Sequence, residues 1–246
     1  MGKLQKEIDS SISELITYIS SYNSFTSKGN YYKSNGILYR FGLLRRSFEL
    51  FFPSLEELPK NSYECETVNV MLNSIYLHIR GILDNTAWLL YYDLELQNLN
   101  IPRDIDFSGN NYLKAIQTNK KIEKVIQDYS LWMKELKEKR DPIAHKLPLY
   151  IPAKFIDNEE DLKKAIDLKK LAEEKRKVND ETWIQDEFAS MYVDDFKPVI
   201  MNLDTEKEMG KIYPILPEIK RDIENFSNFI FKIFYNLKSM KSEAIQ

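Results

Sequence analysis

Glycine and proline are rare and widely spaced in this chain, and that spacing constrains the fold more than any other feature. The 246 residues include 7 Gly and 9 Pro, the two residues that most often interrupt regular structure. Between them lie long blocks in which apolar residues recur every three or four positions, the period of an α-helix. We therefore predict a mainly α-helical fold, an up-down bundle in one domain spanning residues 1–246.

Several blocks carry the helical period. The block from Ser62 to Asn98 has the longest apolar stripe, so we expect it to form the central helix. The last block, Pro217 to Ser239, is rich in aromatic residues and should close the bundle. Polar stretches at 29–36 and 99–111 are predicted loops. The remaining predicted helices are Leu4–Tyr22, Ile37–Phe52 with Pro53 as its terminator, and Asn111–Lys139.

The pattern changes after Arg140, where three prolines fall within a few residues and one long helix cannot continue. We expect Leu147–Ile156 to be extended and to pair with 197–203. Between them, Glu159–Lys177 is highly charged and is predicted to be an exposed helix with ion pairs along it. The sequence thus predicts a small α+β insertion on the bundle, over about residues 147–215.

Composition limits the function classes. The net charge is −3, so contact with nucleic acid would require a local basic patch. Cys65 is the only cysteine, which excludes an intrachain disulfide and suits a reducing cytoplasm. With only His78 and His145, a Cys/His zinc site is disfavoured, and we predict no metal and no cofactor. The sequence also lacks a secretory signal or an apolar run long enough to span a membrane, so a cytoplasmic protein is expected.

One short segment carries the residues for chemistry, Arg140-Asp141-Pro142-Ile143-Ala144-His145 followed by Lys146. A guanidinium presents a planar, permanently charged fork to a phosphodiester, and an imidazole exchanges a proton near neutral pH. Together they suit RNA cleavage without a metal, in which a base removes the 2′-hydroxyl proton and the arginine stabilises negative charge on phosphorus. The surrounding patch is mildly basic; its cations are Lys134, Lys137, Lys139, Arg140 and Lys146.

The sequence RDPIAH resembles the R-x4-6-H motif of the HEPN superfamily, helical-bundle proteins that often act as ribonucleases. A polar residue directly after the arginine, here Asp141, is also typical of that motif. The resemblance covers about residues 62–146 and the closing helix. It implies Arg140 and His145 as catalytic residues, with Asp141 and Lys146 in support. It also implies a homodimer in which two copies of the motif share one cleft.

A second polar feature lies on the predicted central helix. Asn69, Asn73, Arg80 and Asp84 share a helix face, and Arg80 and Asp84 are spaced to form an ion pair. That face is either a solvated surface with one salt bridge, or it brings Asp84 or Asn85 against the Arg140/His145 segment to orient the imidazole or bind ligand. His78 is predicted to be a core or boundary residue rather than a ligand.

Basic and aromatic residues are also interleaved near the N-terminal part of the chain. Tyr31, Tyr32 and Tyr39 lie close in sequence to Arg40, Arg45 and Arg46. Such a mixture suits either an RNA-binding surface or the interface of a dimer.

Three functional hypotheses follow. The first is a dimeric, metal-independent endoribonuclease related to HEPN proteins, in a toxin or defence setting with a possible antitoxin partner. The second is an HEPN-like module that binds a nucleotide, RNA or protein without cleaving it. The third is a structural all-α protein whose resemblance to the motif is accidental.

Overall fold

The computed structural model describes residues 1–56, 62–145, 148–152, 158–191, 199–202 and 211–243. It is mainly helical with a small sheet, which confirms the predicted fold class. Within these described ranges, no helix is both long and apolar enough to cross a membrane.

Helices and two short strands follow one another along the chain. The α-helices are α1 (Gly2–Ser20), α2 (Ser27–Tyr31), α3 (Tyr39–Glu56), α4 (Ser62–Asp93), α5 (Asn110–Ile116), α6 (Lys120–Asp128), α7 (Ser130–His145), α8 (Glu159–Lys177), α9 (Trp183–Met191) and α10 (Ile215–Glu243). A π-helical segment, Tyr32–Leu38, joins α2 to α3, and the strands are β1 (Val199–Asn202) and β2 (Lys211–Pro214).

The core is built around α4 and α10. Helix α4 packs against α2, the π-helical segment, α3 and α7, and α10 packs against α1, α6 and α7. Phe41 of α3 packs against Phe226 of α10 with tilted rings whose centroids lie 5.6 Å apart, so the two sides of the bundle meet in one apolar interior. Burial of this interior is the main source of stability. The predicted helices at the two ends of the chain, 4–22 and 217–239, are confirmed as α1 and α10.

The predicted loop at 29–36 is wrong, because the chain there is α2 followed by the π-helical segment. The Thr26 hydroxyl caps α2 by accepting a hydrogen bond from the Gly29 amide at 2.9 Å. An added Cβ at Gly29 would lie 2.2 Å from a carboxylate oxygen of Asp93, and one at Gly36 would lie 2.3 Å from the Asn85 side-chain oxygen. These glycines admit side chains of α4 and do not form turns.

Helix ends also differ from expectation. Helix α3 continues past Pro53 to Glu56. Pro53 lies in the last turn, so the one hydrogen bond that it cannot donate, to the carbonyl of Glu49, is lost where few residues of the helix remain. Helix α4 ends at Asp93, before Asn98, since both Glu95 and Asn98 adopt a positive φ that a helix cannot contain.

The predicted helix 111–139 is instead three helices, α5, α6 and α7. The Asn119 side chain caps α6 by accepting a hydrogen bond from the Ile122 amide at 3.1 Å, which separates α5 from α6. The predicted break after Arg140 is wrong as well, because α7 runs on through Pro142 to His145. The whole motif therefore belongs to the C-terminal part of one helix.

The α+β insertion is confirmed in outline. The segment 148–152 is extended, and Tyr150 forms an isolated antiparallel bridge with Met201 of β1. The main pairing, however, joins β1 to β2 in antiparallel register from Val199–Pro214 to Asn202–Lys211, which was not predicted. Helix α8 has the predicted bounds and buries only Ala165 and Ala172. The predicted strand residues Leu147, 153–156, 197–198 and 203 lie outside the described residues.

A buried ion-pair cluster joins α7 to α10. The Lys139 ammonium is only 2% exposed and pairs with Asp222, at 2.5 Å, and with Glu218. Asp222 also accepts hydrogen bonds from the Tyr76 hydroxyl at 2.9 Å and from the Trp132 indole at 3.2 Å. Helices α4, α7 and α10 therefore converge on one carboxylate, which the apolar periodicity does not predict.

We predict that Lys139→Met destabilises the protein by about 3–5 kcal/mol, because it leaves two acidic groups buried without their central cation. The matched control is Lys134→Met on the same helix, where the lysine is exposed and a change within about 0.5 kcal/mol is expected. Urea unfolding followed by circular dichroism measures both. Equal stability of the two variants would contradict a structural role for the cluster.

Candidate functional site

A buried arginine organises the polar face of α4. Arg80 is 5% exposed. Its Nε lies 3.0 Å from Asp84 Oδ1, and its Nη2 lies 2.8 Å from Asp106 Oδ2 in the loop between α4 and α5. The predicted Arg80–Asp84 pair is thus present. The face is not simply a solvated surface, since Arg80 also ties the loop to the helix.

Two further arginines approach Asp84 from neighbouring helices. Arg40 of α3 crosses α4 directly over Gly81, where an added Cβ would lie 2.5 Å from the guanidinium carbon. Arg140 of α7 is half-buried. Both Arg40 and Arg140 lie near enough to Asp84 to act on its pKa. Arg80 thus contacts Asp84 directly, while Arg40 of α3 and Arg140 of α7 act on it through their charges. We call these four residues with Asp106 the arginine cluster.

The two carboxyl groups of the cluster have opposite properties. Burial raises the pKa of Asp84, helped by the nearby Asp106 charge, and the three arginines offset this only in part. Burial also acts to raise the pKa of Asp106, but the Arg80 guanidinium and the hydrogen bonds from Ser108 outweigh it, so its pKa is lowered. Asp84 is therefore the carboxyl group of the cluster that takes up a proton more readily.

Arg140 and His145 belong to the same helix but not to the same face of it. Five residues of α-helix separate them by about 7.5 Å along the axis and by about 140° around it. His145 is the last residue of α7, so it lies where helical geometry gives way to the following segment. The side chains of Asp141 and His145, and the whole of Lys146, lie outside the described residues.

The remaining residues of the predicted polar face have other partners. The side-chain amides of Asn69 and Asn73 hydrogen-bond the backbone of the extended segment 148–152, taking the place of the backbone of a neighbouring strand. The Asn73 Oδ1 accepts from the Leu149 amide at 3.1 Å, and the Asn69 Oδ1 accepts from the Ile151 amide at 2.6 Å. These two asparagines hold the chain that leaves the motif against α4.

Asn85 contacts its own helix and the π-helical segment. Its amide donates to the Gly81 carbonyl at 2.6 Å, and its side chain abuts Gly36 of the π-helical segment. Asn85 therefore has a packing role. His78 is half-buried, as a boundary residue, but its Nδ1 is buried with no hydrogen-bond partner among the described residues. Burial and the nearby Arg40 lower the pKa of His78.

The structure also redefines the predicted basic patch on α7. Lys139 is committed to the buried ion pairs described above and contributes nothing to a surface. Sequence reasoning missed Arg40 and Asp106 as members of the site. The glycine at 81, within an otherwise uninterrupted helical block, was the available signal for Arg40, because such a glycine often marks a close approach by another group.

Comparisons with protein-family models, with curated proteins and with solved structures found no match for this chain. The function proposed below therefore depends on the geometry of the site and on the motif in α7.

We predict opposite roles for the two aspartates when stability is measured against pH. Folding raises the pKa of Asp84 above 3.8, the ordinary value for an aspartate. The folded protein therefore loses stability as pH rises above 3.8 and Asp84 ionises. The stability of Asp84→Asn relative to wild type should therefore increase with pH until the folded Asp84 is fully ionised. The pKa of Asp106 is lowered from the same ordinary value of 3.8, so ionised Asp106 contributes its full stabilisation at every pH well above 3.8.

The matched variant Asp106→Asn should be less stable than wild type from about pH 5 to about pH 7, because it loses the ion pair with Arg80 at 2.8 Å. Urea unfolding at several pH values tests both variants. A pH-independent difference between Asp84→Asn and wild type, or an Asp106→Asn protein as stable as wild type, would contradict the assignment of the two carboxyl groups.

Proposed function

We propose that the protein is a metal-independent endoribonuclease whose active site combines Arg140 and His145 with the arginine cluster. The observation that carries the proposal is the placement of three arginine charges, those of Arg40, Arg80 and Arg140, within electrostatic reach of the half-buried Asp84. Arg140 belongs to both the motif and the cluster, and a phosphate-cleaving site gives both of them a use.

The charge of the cluster favours a phosphodiester. Three guanidiniums against two carboxylates leave an excess of one positive charge. Arg80 is already engaged by both aspartates, so it serves to position the others. Arg40 and Arg140 are each half-buried, and the planar arginine fork has the geometry to bind a phosphate in addition to the contacts it makes within the protein.

The proposed reaction is an attack by the RNA on itself. His145 takes the proton of a 2′-hydroxyl as that oxygen bonds to the adjacent phosphorus. The bond from phosphorus to the 5′-oxygen breaks, and the leaving oxygen takes a proton from the partner subunit's His145. The products are a 2′,3′-cyclic phosphate and a 5′-hydroxyl, and Arg140 stabilises the negative charge that accumulates on the phosphoryl oxygens.

Asp84 is proposed as a positioning residue. Its half-exposed carboxyl group and raised pKa suit a group that shares a proton with a neighbouring imidazole or with bound substrate. The reaction needs both an acid and a base, and the motif supplies one histidine per chain. We therefore propose a homodimer. A cytoplasmic setting, and a toxin or defence role with an antitoxin partner, belong to the same proposal.

We predict RNA cleavage in the presence of EDTA, with products ending in a 2′,3′-cyclic phosphate. His145→Ala should reduce the rate at least about a hundredfold, the usual contribution of a general acid or base. Arg140→Ala should reduce it about as much, through loss of charge stabilisation. The control is Arg45→Ala, since Arg45 pairs with Glu49 at 3.4 Å on α3 and has no place in the site.

Cleavage that survives both substitutions would contradict the proposed site. If no RNA is cleaved while RNA or a nucleotide still binds, and binding weakens in Arg140→Ala, the alternative hypothesis of a non-catalytic binding module is correct. Unchanged folding of the His145→Ala protein, checked by circular dichroism, is required for either conclusion.

We predict separately that the protein is a dimer at micromolar concentration, with twice the mass of one chain in light scattering. Because one cleft needs His145 from both subunits, an excess of the His145→Ala protein should lower the activity of wild type by forming mixed dimers. A single-chain mass for the active protein would contradict the shared site.

A further inference from the structure

A cluster of aromatic rings continues the polar face of α4 beyond the arginine cluster. The rings of Tyr32, Trp88 and Tyr92 are nearly parallel, with interplanar angles of 3° and 24° and centroids 5.3–5.9 Å apart. All three side chains are half-buried, and Tyr32 and Trp88 also pack against the core. Tyr31 meets Tyr32 edge to face and is 63% exposed. We call Tyr31, Tyr32, Trp88 and Tyr92 the aromatic platform.

The platform adjoins the arginine cluster. Trp88 follows Asp84 by one helical turn, so their side chains lie on neighbouring parts of the same face, about 6 Å apart along the axis. Arg40, which crosses α4 at Gly81, approaches this face from the side of α3. RNA that binds the guanidiniums through a phosphate therefore places a neighbouring base next to the rings.

Its surroundings suit an anionic chain. The Lys28 ammonium lies 5.1 Å from the centre of the Tyr92 ring, at the end of the platform away from Asp84. The nearby carboxylate of Asp93 is buried and already accepts hydrogen bonds from Tyr22, Ser24 and Thr26. Cations thus lie at both ends of the platform. Of the acidic groups near it, Asp93 is buried in the fold and Asp84 lies among the arginines.

We propose that the aromatic platform is a stacking subsite for an unpaired base of single-stranded RNA, whose phosphate binds the arginine cluster. This rests on the proposed function, since it names the form of RNA that the same site accepts. Stacking on aromatic side chains tolerates any base, because every base has a π-face. A base within a duplex cannot reach the rings, so the subsite selects unpaired RNA.

The experiment measures binding without cleavage. The probe is a short 2′-O-methyl oligouridylate, which has no free 2′-hydroxyl to attack phosphorus, and its counterpart is an abasic strand of equal length and charge. Fluorescence anisotropy gives both affinities. We expect wild type to bind the base-bearing strand roughly tenfold more tightly, the range of one stacked base.

Trp88→Ala should abolish that preference and leave the affinity for the abasic strand unchanged, while Trp88→Phe should retain most of it. Tyr235→Ala is the matched control, because Tyr235 is 58% exposed on α10 and stacks with Phe231 rather than near the cluster. The comparison of the two strands on wild type needs no variant and stands even if Trp88→Ala fails to fold.

Equal binding of both strands by wild type overturns the inference, as does tighter binding of a duplex of the same sequence or no binding at all. The result is independent of catalysis. Base-dependent binding by a protein that cleaves no RNA would support the platform and refute the ribonuclease, and cleavage with no effect of Trp88→Ala on the base preference would do the reverse.

Discussion

The burial of Lys139 against Asp222 and Glu218 fixes the rotation of α7, and the rest of the site depends on that rotation. A lysine without water must face its counter-ions, so α7 can turn only one way against α10. Successive helix residues point about 100° apart, and the inward Lys139 therefore determines the direction of Arg140. A charge cluster in the core thus aligns a charge cluster near the surface, although the two share no residue.

Helix α4 performs two tasks on two faces. One face supplies buried aliphatic residues to the core, and the other holds a sequence of polar and aromatic groups that runs from the asparagines at 69 and 73 to Tyr92. Three glycines lie where other elements approach this helix closely. Gly29 and Gly36 lie on its neighbours, and Gly81 lies on α4 itself. Each removes a side chain where a carboxylate, an amide or a guanidinium occupies the space.

Periodicity was sufficient to predict the mainly helical fold, the charged helix α8 and the closing helix, because these depend on patterns local in sequence. It also placed Arg80 and Asp84 on one face. Periodicity failed where the structural role of a residue depends on a partner that is distant in sequence. The stretch that contains Gly29 and Gly36 predicts a loop, although both glycines relieve contacts with α4. Lys139 was assigned to a surface basic patch, although its counter-ions lie about eighty residues further along the chain.

The bridge between Tyr150 and Met201 joins the two ends of the excursion that contains α8 and α9. The chain leaves the bundle and returns to it at nearly the same point, with the leaving strand held by side-chain amides of α4. Helices α8 and α9 contact each other extensively, including the Lys175–Asp186 pair at 2.5 Å. Such a hairpin of two helices can be lengthened, exchanged or fused to another protein at its tip with little displacement of the bundle helices. It is therefore a suitable attachment point for a reporter.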